Sequence, residues 1–114
     1  MIHDFLDKET KRMEEELNEL KKKLSELEIK KQEDKTFIHR LKESIDRKYA
    51  GFTPYAITKE EDLKIQELKV EIAALDDEIK ELQIEIISQE EMISEYKKIL
   101  EVAKTLEEKY EKKR

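Results

Sequence analysis

Apolar residues recur along nearly the whole chain at alternating steps of three and four, and the rhythm breaks once, around Gly51 and Pro54. The first run is Leu6, Thr10, Met13, Leu17, Leu20, Leu24 and Leu27, resuming at Ile38, Leu41 and Ile45. The second is Ile65, Leu68, Ile72, Leu75, Ile79, Leu82 and Ile86, resuming at Ile93, Tyr96, Leu100 and Ala103. A seven-residue apolar repeat sustained over several heptads draws one narrow seam along a helix and marks helices that wrap around each other. With Leu17 as position a, one register holds from His3 to Ile45; with Ile65 as a, a second holds to Tyr110. The pattern predicts an all-α protein: a single coiled-coil hairpin over 1–114, with helices at about 2–50 and 58–112 and a tip loop at 51–57.

The break carries stop and start signals. Gly51 suits the left-handed residue that ends a helix, and Pro54 cannot continue one. Thr58 with Glu61 forms a Thr-x-x-Glu capping box that would open the second helix, and Glu60, Glu61 and Asp62 favour a helix N-terminus. A connection this short joins antiparallel neighbours. Each arm of about 50 residues would span roughly 75 Å.

Charges beside the seam choose between two alignments that fit the loop. One packs Ile45 on Leu68, Leu41 on Ile72, Leu27 on Ile86, Leu20 on Ile93 and Met13 on Leu100. It sets Asp7 by Lys104, Glu14 by Lys97, Lys21 by Glu90 and Lys35 by Asp76, with one clash of Lys42 and Lys69. The other, shifted by a heptad, sets Glu14 by Glu90, Glu28 by Asp76 and Lys35 by Lys69. Each exposed pair contributes only tenths of a kcal/mol, but the tally favours the first. Polar residues interrupt the middle of this seam. Lys31 and Asp34 occupy a and d positions facing Leu82 and Ile79, and Gln89 faces Leu24. A polar layer of this kind fixes register, with Lys31 extending its charge to water; the competing reading is a flexible point or a docking site.

Composition narrows the function classes. Charged residues make up 47% of the 114 and hydrophobic ones 37%, a balance that would suit disorder if the apolar residues were not in strict register. There is no Cys, hence no disulfide framework or thiolate chemistry. The opening Met-Ile-His-Asp-Phe-Leu-Asp-Lys carries acid where a signal peptide needs an apolar run, and no window approaches the roughly 18 apolar residues of a membrane span. These features predict a soluble cytoplasmic chain without membrane contact. Catalysis finds no footing. His3 and His39 stand far apart on one helix, the only Gly is a helix stop, and acids on an open helix lack a pocket to shift their pKa. No metal, cofactor or enzymatic activity is expected.

Three surfaces are candidates for binding. The second helix broadens after Gln89, with Met92, Ile99 and Leu106 at g and Val102 at c, and the first helix answers with Ile2 and Phe5. Glu9, Glu16 and Lys23, at the facing g positions, cover such a stripe poorly, which predicts self-association into a homodimer or four-helix bundle. The tip gathers Tyr49, Phe52, Tyr55 and Ile57 beside Leu63, readable as a small tip core or as an aromatic anchor for a partner. Residues 71–95 hold nine acids and one base, Lys80. Glu71, Asp77, Glu78, Glu81 and Glu85 there form either a solvated face or a match for a basic protein surface. The net charge of -6 and the scattered lysines argue against direct nucleic-acid binding. The expected function is a non-catalytic protein–protein interaction module: an adaptor, scaffold or regulator. An acidic decoy for a nucleic-acid-binding protein and a small helical chaperone or secretion factor are the alternatives.

Overall fold

Leu, Lys and Glu, all strong helix formers, fill both heptad runs, and the described chain follows them. The computed structural model describes residues 2–48 and 55–112, with side chains for 4–47 and 59–111. Two helices account for them, α1 (Ile2–Lys48) and α2 (Tyr55–Lys112), packed against each other as an antiparallel pair, with no strand among the described residues. The expected boundary at the start of the second helix needs correction. α2 begins at Tyr55, so residues 55–57 are helical and Thr58 and Glu61 lie inside the helix. Proline is best tolerated at a helix start, so a start just after Pro54 competes with one at the capping box and adds most of a turn of backbone hydrogen bonds. Residues 49–54, including Gly51, lie outside the described residues.

The chain divides into two compact units. The first combines Met1–Lys23 with Leu82–Arg114. Its seam buries Leu6, Met13 and Leu17 from α1 and Leu82, Ile86 and Ile93 from α2, each fully buried aliphatic side chain contributing about 1.5–3 kcal/mol. Thr10 shares that seam at 4% exposure. Its hydroxyl donates to the carbonyl of Leu6 at 2.7 Å, so the buried polar atom is satisfied within its own helix. Two cross-helix ion pairs fix the register: Lys97 to Glu14 at 2.9 Å and Lys21 to Glu90 at 3.5 Å. One heptad forward on α1 matches one heptad back on α2, the antiparallel alignment that the flanking charges predict.

The second unit is Leu24–Glu81. Ile38, Ile65 and Leu68 form a buried cluster, against which Leu41, Ile45 and Ile72 pack. Leu75 and Ile79 continue the buried face of α2. In both units the side chains at a and d turn inward, so the heptads determine which residues leave water.

Candidate functional site

The polar layer of the second unit gains a partner that the sequence did not show. Lys31 carries its charge out of the seam to the partly exposed flank, where its Nζ pairs with the carboxylate of Asp76 on α2. A lysine stem leaving an a position sideways reaches the flanking e position, where Asp76 stands. Asp76 is held below its ordinary pKa, first by the Lys31 hydrogen bond and then by the charges of Lys31, Lys35 and Lys80. The expected neighbour Lys35 thus acts on Asp76 through its field. A folded-state pKa below the unfolded one gives stability that is present above the ordinary carboxylate range and lost as pH falls through the depressed value. In Lys31→Met, the Asp76 carboxyl titration, followed by carbon NMR, should move up toward the ordinary value. An unmoved titration would rule out the pair.

Asp34 is more unusual. The residue is 3% exposed, and one carboxylate oxygen accepts from Lys30 Nζ at 3.0 Å. The other, Oδ2, is buried with no hydrogen-bond partner. Lys30 also approaches Glu71 of α2 at 3.6 Å, and Asp34 and then Glu71 raise its pKa above the ordinary lysine value. The layer is a cross-helix ion network with one strained member.

The open-end patch stands where expected in part. In the first unit Met92, Ile99, Val102 and Leu106 are 46%, 53%, 60% and 52% exposed, and Phe5 is 63% exposed. Ile2 falls in the first turn of α1, with its side chain outside the described residues. The α1 acids near this stripe are engaged with one another's counterion: Arg12 binds Glu9 at 2.8 Å and Glu16 at 3.2 Å, and Gln89 donates to Glu16 at 3.5 Å. The guanidinium pKa is raised accordingly, chiefly by Glu9. These long polar side chains leave the α2 stripe open.

At the tip, Tyr49 and Phe52 lie outside the described residues, and Tyr55 and Ile57 enter α2 with side chains likewise outside them. Leu63 is exposed. Of the acidic residues, Glu71, Asp77, Glu78 and Glu81 in the second unit and Glu85 in the first are all exposed.

Further apolar side chains face water beyond those the sequence reading singled out: Val70, Ile84 and Ile87 on α2, and Ile29 and Phe37 on α1. Ile29 and Phe37 line an open groove with Gln32, Glu33, Thr36 and Arg40. Val70 and Ile84 at f, and Ile87 at b, were legible as apolar residues on the face turned away from the seam. Among the described residues no group of His, Cys, Asp and Glu is arranged to hold a metal ion, and no helix is long and apolar enough to cross a membrane. In comparisons with known proteins, no family model, curated protein or solved structure matches this chain.

Proposed function

We propose that this chain is a non-catalytic protein–protein interaction module, a small coiled-coil adaptor or regulator that works by presenting helical faces to partners. One observation carries the reading: large apolar side chains stand exposed on faces the hairpin seam does not use, most of them on α2. Surface patches of this kind mark sites of association. A second copy of the chain is the first partner we assign. A heterologous partner with a basic surface is the second, because α2 concentrates nine acids against one base over residues 71–95 at a cost to its own helix stability.

The acidic segment also supports a second reading, a decoy that occupies the basic surface of a nucleic-acid-binding protein. Salt separates the two. A complex held by charge weakens steeply as salt screens it, whereas one held by apolar helix faces persists. Replacing Glu78, Glu81 and Glu85 by Gln should weaken capture of the basic partner several-fold and flatten its salt dependence, while circular dichroism stays level or rises. Unchanged binding after the triple substitution would reduce the acidic face to solvated surface.

A further inference from the structure

The two helices of the second unit are unequally anchored. On α2 the unit buries Ile65, Leu68, Leu75 and Ile79. On α1, among the described residues, it buries only Asp34 and Ile38, while Leu24, Leu27 and Lys31 are partly covered. Ile38 belongs to the cluster with Ile65 and Leu68. From Leu24 to Phe37, therefore, the one buried side chain that α1 contributes is a carboxylate. Its Oδ1 is bonded within α1, to Lys30, and its Oδ2 is unpartnered. The links from this segment to α2 are polar: Lys30 to Glu71, side chains 50% and 45% exposed, and Lys31 to Asp76, 27% and 39% exposed. Ion pairs open to solvent hold weakly and are screened by salt.

We propose that residues 24–37 of α1 form a salt-sensitive strap, held on α2 by the Lys30–Glu71 and Lys31–Asp76 pairs and lifting from it while the Ile38 cluster stays closed. Lifting hydrates Asp34 Oδ2, whose unsatisfied burial opposes the closed form. It also uncovers Leu75 and Ile79, which keeps the closed form dominant. Glu71 and Asp76 stand at the head of the acidic stretch 71–95. On the interaction-module reading, a basic partner competes with Lys30 and Lys31 for those carboxylates, so its binding and the lifting of the strap favour each other. The inference rests on that reading for the partner alone; the lifting is a property of the single chain.

Amide hydrogen exchange of the full chain, resolved by residue with NMR, tests the strap. A hairpin that opens only from its ends protects the middle of each helix best. The strap instead predicts a minimum, with the amides of 28–35 roughly tenfold less protected than those of 38–41, through an opening that mild denaturant does not accelerate. At about 1 M salt, where the screening length is roughly 3 Å, the gap should widen several-fold. Glu71→Gln combined with Asp76→Asn should widen it at low salt, and Asp34→Leu should close it. Protection that rises smoothly towards the middle of α1 would overturn the proposal. So would a minimum that neither salt nor the Glu71 and Asp76 substitutions deepen. These measurements use the chain alone, so their failure leaves the wider reading to partner capture by the acidic segment.

Discussion

Asp34→Leu should make the protein more stable. The carboxylate sits in the seam at 3% exposure, with Oδ1 bound by one lysine and Oδ2 bound by nothing. Desolvating a carboxylate costs several kcal/mol, and a single hydrogen bond from Lys30, whose own side chain is half exposed, offsets only part of it. Leucine at a d position restores apolar packing against the buried Ile79 face. The gain should be about 1–4 kcal/mol, the range found when buried ionic groups give way to well-packed apolar ones. In a thermal melt this is a rise of several degrees. A second effect should accompany it. A polar residue in a seam holds one alignment at the expense of stability, so the variant should tolerate the heptad-shifted alignment better. Cross-links between Lys35 and Lys69, which that alignment brings together, would report the slip. A variant that melts lower would mean that the carboxylate contributes more to the fold than it costs.

Ile99→Glu should abolish self-association. In the single chain Ile99 is 53% exposed, so a charge there meets water and changes hairpin stability by no more than about 0.5 kcal/mol. In a pair of copies joined through the exposed stripe of α2 the same position would be buried and occur twice. Burying an unpaired carboxylate at an interface costs several kcal/mol per charge, and residues near the centre of a small contact carry most of its energy. Light scattering should show the molar mass falling to that of one chain, with helix content unchanged. A variant that remains dimeric would exclude the stripe from the contact.

Fold class, helix number and register were readable from the sequence because each rests on a repeated signal. Among the described residues eleven large apolar side chains are buried, and every one occupies an a or d position of the heptads read from the chain. The ion pairs Glu14–Lys97 and Lys21–Glu90 followed from register alone. The start of α2 was misplaced because a capping box is a local preference, and the helix gains more by starting earlier, after Pro54. The Lys31 ion pair was missed for a different reason: heptad letters give the direction of a Cα–Cβ bond, not where a four-carbon stem ends. The exposed face of α2 was only half legible. Met92, Ile99 and Leu106 crowd the g position, whereas Ile84, one heptad letter away at f, repeats at no neighbouring heptad of the same half. Only the observed exposures join them into one line.

The order in which the chain closes follows from the distances along it. Ile45 and Ile65 belong to a single cluster and are separated by a short stretch of chain, while Gln89 and Glu16 meet across 73 residues. Closing the longer loop costs about 1 kcal/mol more entropy if it forms unaided, but almost nothing extra once the cluster has drawn the two helices together. Folding should therefore start at the cluster of Ile38, Ile65 and Leu68 and reach the residues around Leu6 and Leu100 last, so hydrogen exchange should show the C-terminal part of the apolar stripe on α2 among the first segments to open.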